Sequence, residues 1–163
     1  SKKLLAEAGY PNGFDIDIVA YRERNQTEAI INYLQAVGIR AKLNFLQYAA
    51  MRDMIRANKA ALTHQTWASN LVNDVSASTP VYFAFGNDDV TRDAQVRDLL
   101  DKGDHTIDSA TRNGLYKQAL DLIAQKAYAV PLWTLPAYYV ATKDLNFKPY
   151  SDELIRFWDM SWK

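Results

Sequence analysis

The chain has 163 residues, 48% hydrophobic and 12% aromatic, enough for one domain with a core and unlike a disordered tail. Its 19 basic and 19 acidic residues cancel and are scattered, which speaks against a nucleic-acid partner or an electrostatic membrane anchor. Cysteine is absent, removing thiol nucleophiles, disulfides and thiolate metal sites together, and no stretch has the length of a membrane span or the form of a signal peptide.

The chain opens on a short helix with Leu4, Leu5 and Ala8 on one stripe. Gly9 suits a left-handed helix end, and Pro11 and Gly13 turn the chain. An opening this abrupt predicts a start inside a domain, with any export leader lying elsewhere. Phe14, Ile16, Ile18 and Ala20 alternate with Asp15, Asp17, Val19 and Tyr21, predicting a half-buried strand over 14–21. A helix over 26–37 follows, with Ala29, Ile30, Tyr33, Leu34 and Val37 on one face and Gly38 as its stop. Ile39, Ala41, Leu43 and Phe45 mark a second strand. A helix over 48–58 turns Met51, Met54 and Ile55 inward, and 61–67 reads as a third strand ending at Trp67. Strand, helix, strand, helix, strand with short links implies parallel pairing with right-handed crossovers.

Residues 68–80 form the longest polar loop, Val81–Phe85 a short helix, and 86–89 a surface loop holding the carboxylates of Asp88 and Asp89. Two helices come next. Val96, Leu99 and Leu100 stripe the first, with Gly103 as its stop. Asp108 caps the second, which runs to Lys126 on Leu115, Ala119, Leu122 and Ile123. Gly114 inside it costs roughly 1 kcal/mol against alanine. From Tyr128 onward the chain is aromatic and strand-like, with Pro131 and Pro136 confining it to edge or irregular strands.

The order of these landmarks resembles a known family. The opening Lys2-Lys3-Leu4-Leu5-Ala6-Glu7-Ala8-Gly9-Tyr10-Pro11-Asn12-Gly13-Phe14 closely resembles the segment that opens the C-terminal lobe of extracellular solute-binding proteins of family 5, the peptide and nickel type of ABC importer. Ala36-Val37-Gly38-Ile39 is similar to its helix-to-strand step. Trp67 closes a strand before a polar loop, and Asp93 to Leu100 matches another helix. Arg112, Leu115-Tyr116 and Ala129-Val130-Pro131-Leu132-Trp133 match a later stretch, and Phe157-Trp158-Asp159-Met160-Ser161-Trp162 closes the chain as members close. The resemblance covers nearly all of the sequence.

It implies an α/β fold: one periplasmic-binding-protein type II lobe, with a mixed, mainly parallel sheet flanked by helices. Residues 1–132 would form the ligand-binding lobe, and 133–163 would return to an N-terminal lobe absent from this sequence. The apolar tail would then stand exposed, or be covered by self-association through 133–163. The implied partners are a small-molecule or peptide solute and an ABC permease, with no cofactor, no metal and no nucleic acid. The implied location is periplasmic or extracellular, with a lipid-anchored parent as one form.

Such lobes bind in the crevice at the carboxyl ends of the strands, which directs attention to His64, Trp67, Asn70 and Asp74. Peptide-binding members carry an aspartate three residues after the tryptophan, where this chain has Asn70; an amide supplies no countercharge. Asp74 is the nearest acid to take over. His64 stands where some members place an arginine, and a neutral imidazole there would bond a hydroxyl or sit satisfied by its neighbours. Trp67 would stack on solute or fill core space, and Asn70, Asn73 and Asp74 would bond solute or shape a turn.

The two histidines lie far apart, and there is no phosphate loop, G-x-S-x-G elbow or H-E-x-x-H motif. Catalysis is therefore not expected. The reading from another class is a free-standing α/β module that binds a protein.

Overall fold

The computed structural model describes residues 1–68, 72, 74–150, 152 and 154–163. Helix α1 (Lys2–Glu7) leads into strand β1 (Phe14–Ala20), helix α2 (Arg24–Ala36), strand β2 (Ile39–Phe45), helix α3 (Tyr48–Arg56) and strand β3 (Leu62–His64). The strands form one parallel sheet in the order β2-β1-β3. Phe14 pairs with Ile39 and Ala20 with both Phe45 and His64, so all three strands end at one edge.

The half-buried strand expected over 14–21 is half-buried only at its start, since Ile18, Val19 and Ala20 are all buried. Val19 packs against Met51 and Ile55 of α3. His64, level with Ala20 on β3, bonds Thr27 of α2. Side chains alternate along a strand, so helices cover both faces at the carboxyl end, as parallel sheets require.

The inward face of α2 corrects the expected stripe. Thr27 is fully buried, with Ile30, Ile31 and Leu34 partly so, whereas Ala29 and Tyr33 face solvent. Hydrophobicity alone points to the wrong residues, because the most buried member of the face is a threonine whose hydroxyl finds partners. Strand β3 is also shorter than expected: pairing stops at His64, and Gln65–Trp67 leave the sheet.

A second core gathers around α4 (Thr79–Phe83), α5 (Ala94–Asp104) and α6 (Ser109–Gln125), where Phe83, Val96, Leu100, Tyr116, Ala119 and Ile123 are buried together. Asp93 caps α5 through the amides of Gln95 and Val96, and Asp108 caps α6 through that of Thr111. Gly103 is not the stop of α5. It lies within the helix, buried, where a Cβ would stand 2.4 Å from the Tyr116 ring. The bare backbone lets the tyrosine lie across α5.

The expected strands of the tail are mostly absent among the described residues. Only β4 (Leu145–Asn146) and β5 (Ser161–Trp162) pair, antiparallel. Residues 129–142 run without helix or ladder, and Tyr138, Val140, Phe157, Trp158 and Trp162 are largely exposed.

Candidate functional site

At the carboxyl edge each strand hands its chain to a different neighbour. Strand β1 runs through Tyr21 and Arg22 into Glu23, the residue that begins α2. Glu23 has φ 48° and ψ 50°, left-handed values that cost a side-chain-bearing residue roughly 1–2 kcal/mol. Its carboxylate does not cap its own helix. Instead Oε2 accepts from the Thr66 hydroxyl at 3.2 Å, beside Trp67. Strand β2 ends in Leu46, whose amide donates to the Ala20 carbonyl, and α3 then begins at Tyr48, whose ring lies 4.9 Å from that of Tyr21.

Trp67 is stacked on Tyr82 of α4, the ring centres 4.0 Å apart and the planes 4° from parallel. Phe83 meets the indole edge-on. The pair bridges the sheet edge and the second core, and 39% of Trp67 remains exposed. An aromatic plate held this way offers a flat apolar surface without reorganisation on binding.

His64 is buried at the end of β3 and held from α2. Its Nδ1 lies 2.7 Å from the oxygen of the Thr27 hydroxyl, whose one proton is directed to the Glu23 carbonyl at 3.1 Å. The ring meets Trp133 edge-on at 5.7 Å. Burial pushes the imidazole below its ordinary pKa of 6.5, with the Glu23 charge opposing. With Nδ1 occupied, only Nε2 is left for any other partner.

Asp74 is heavily engaged. Its oxygens accept from both Arg112 nitrogens at 2.7 Å and from the amide and hydroxyl of Ser76 at 2.9 and 2.7 Å. The Ser76 donors, then Arg112, hold its pKa down to about 2. This is the geometry of a loop clamp, and it leaves the carboxylate ill placed as the countercharge that Asn70 cannot supply. Arg112 also donates to the Tyr116 hydroxyl, which donates to Asp104 at 2.6 Å. Asp74 is thereby tied to the α5–α6 pair. Asn70 and Asn73 lie outside the described residues.

The expected surface loop of Asp88 and Asp89 is instead buried, because each carboxylate is enclosed by donors. Asp88 pairs with Arg52 and Arg56 of α3. Asp89 accepts from the Thr91 hydroxyl and from the amides of Phe85, Thr91 and Arg92. Burial alone would raise its pKa, but these bonds hold it below the usual carboxylate value. Two carboxylates so fully bonded are structural and offer no proton to a substrate.

The structure thus joins His64 to Thr27, Thr66 beside Trp67 to Glu23, Trp67 to Tyr82 and Asp74 to Arg112, so Glu23, Thr27, Tyr82 and Arg112 join the expected residues. Sequence reasoning missed the first three of these. The one signal for Thr27 was its position three before Ile30, on the inward face of α2. Nothing in the sequence signals that Tyr82 would return to meet Trp67.

No family model matches the chain. Among curated proteins it is 26% identical over 144 residues to the probable deoxycholate-binding periplasmic protein YgiS of Escherichia coli, covering 83% of this chain and 27% of that one. Among solved structures, HbpA2 of Haemophilus parasuis superposes with a TM-score of 0.76 at 25% identity, over 99% of this chain and 34% of its own. The binding protein AgaA of A. tumefaciens R10, solved with agropinic acid, superposes with a TM-score of 0.60 at 30% identity, over 75% of this chain and 27% of its own. The chain therefore spans about a quarter to a third of the proteins it matches.

Proposed function

We propose, on the premise that this chain is a lobe of the family 5 extracellular solute-binding proteins of ABC importers, that it forms one jaw of a two-lobed clamp for a small solute. It is a binding component and not an enzyme, as its relatives are, and its location is periplasmic or extracellular. The observation that carries the reading is the half-exposed Trp67–Tyr82 stack at the carboxyl edge of the parallel sheet. In open α/β sheets that edge is where ligands sit. Relatives are named for deoxycholate and agropinic acid, both small organic molecules, and a small organic solute suits an aromatic plate flanked by polar groups.

In this reading Trp67 stacks on the solute and His64 presents Nε2 towards it. Asn70 donates or accepts a hydrogen bond, and Asp74 shapes the loop that carries Asn70. Residues 1–132 make the jaw and 133–163 return to a second lobe. Closure of two lobes on the solute then creates the form that a membrane permease accepts. A single jaw encloses half a ligand, so this chain should bind only weakly.

Heteronuclear NMR of the chain tests the assignment. Titration with short peptides and with deoxycholate should move the Trp67 indole signal, and Trp67→Ala should abolish binding with the fold intact. Equal binding by Trp67→Ala would refute it.

A further inference from the structure

Two of the carboxylates described above are already neutralised: Asp74 is gripped by Arg112, and Asp88 by Arg52 and Arg56. Glu23 differs. Its Oε2 takes one long hydrogen bond from Thr66, and its Oε1 lies 3.7 Å from Arg22, whose side chain is 55% exposed. The Glu23 side chain is itself only 16% exposed, but at that distance a partner standing in solvent neutralises little. Each carboxylate oxygen accepts two hydrogen bonds, so Glu23 retains acceptor capacity. It declines to cap α2 and reaches across to the end of β3, one residue from the Trp67 plate.

Resting on the solute-binding reading above, we propose that Glu23 is the specificity-determining residue of this lobe, selecting solutes that carry a cationic nitrogen beside a flat apolar group. The apolar group lies against Trp67, and the ammonium donates to Glu23. The charge comes from the end of β1, in place of an acid in the loop after Trp67, where position 70 is an asparagine. His64 adds a second acceptor at the same edge and no competing donor while it stays neutral.

The test uses two probes that differ only in charge: phenylalanine amide, which carries the ammonium, and N-acetylphenylalanine amide, which does not. Binding is followed at the Trp67 indole of the full chain. The cationic probe should bind roughly tenfold more tightly, the scale of one charge-assisted hydrogen bond. Glu23→Gln should erase that preference and leave the neutral probe unchanged. In the unmodified chain, raising the salt concentration should shrink the preference too, a readout that needs no variant. If Glu23→Gln keeps the preference, or salt leaves it intact, the assignment of Glu23 is wrong while the Trp67 site stands. If neither probe moves the Trp67 indole at millimolar concentration, the site reading fails and Glu23 with it.

Discussion

Replacing Gly103 by alanine should destabilise the protein, although a glycine-to-alanine change inside a helix ordinarily stabilises it. The gain in helix propensity is at most about 1 kcal/mol. Against it stands a Cβ placed 2.4 Å from one ring carbon of Tyr116 and 2.7 Å from the next. The ring cannot swing aside freely, because Tyr116 is buried and its hydroxyl bonds Asp104 and Arg112. Overpacking of this kind costs roughly 1–3 kcal/mol, leaving a net loss of about 1 kcal/mol at the middle of that range. For a chain of this size that lowers the melting temperature by roughly 2–4 °C. Gly114→Ala is the matched control: it lies in α6, exposed, with no atom within 4 Å of the added methyl, and should stabilise by up to about 1 kcal/mol. Urea unfolding followed by far-ultraviolet circular dichroism measures both. Tyr116→Leu in the Gly103→Ala background should recover part of the loss by making room. A stabilised Gly103→Ala would refute the close approach of α5 and α6 on which the clamp of Arg112 on Asp74 depends.

Stability should fall with acid in two separate windows. His64 is buried with its pKa below 6.5, so the unfolded chain takes the proton first, and stability held above that value is lost as pH falls through it. His64→Gln should flatten the slope there. Asp74, pushed down to about 2 from 3.8, contributes stability above the higher value that is lost between the two, and Asp74→Asn should remove that slope as measured by urea unfolding at each pH. The exposed aromatics of residues 133–162 should bind a hydrophobic dye and drive concentration-dependent association in sedimentation. A chain that stays monomeric at high concentration and binds no dye would refute the exposed tail.

The parallel sheet was legible because its signal is local: alternation in Phe14–Ala20 and Ile39–Phe45 and the helical stripe of Met51 and Ile55 each reflect one element meeting one layer. Asp108 was legible for the same reason, since a cap is read by amides two or three residues away. What escaped depends on distant partners. Thr27 looks polar until His64, 37 residues later, bonds its hydroxyl. Gly103 looks like a helix stop until Tyr116 lies across it. Residues 61–67 read as a continuous strand, yet pairing ends at His64, and that early end frees Trp67 to meet Tyr82. The tail was misread because its apolar pattern resembles that of strands, while a strand also needs a neighbour with free backbone groups. Residues 129–142 find none among the described residues.

The exposed tail leaves an apolar surface of the size that a partner would cover. Trp133, Tyr138, Phe157, Trp158 and Trp162 are between 48% and 87% exposed; with aromatic side chains contributing about 150–250 Å² each, they leave roughly 700 Å² of aromatic surface in water. That is close to the roughly 800 Å² that each partner buries in a protein interface of ordinary size. The course of the tail nevertheless follows that of HbpA2, which superposes over 99% of this chain and is about three times as long. The His64–Trp133 contact then acquires a second meaning. It joins the first residue of the expected returning segment to the imidazole at the end of β3, so movement of the tail would be felt at the edge proposed to bind solute.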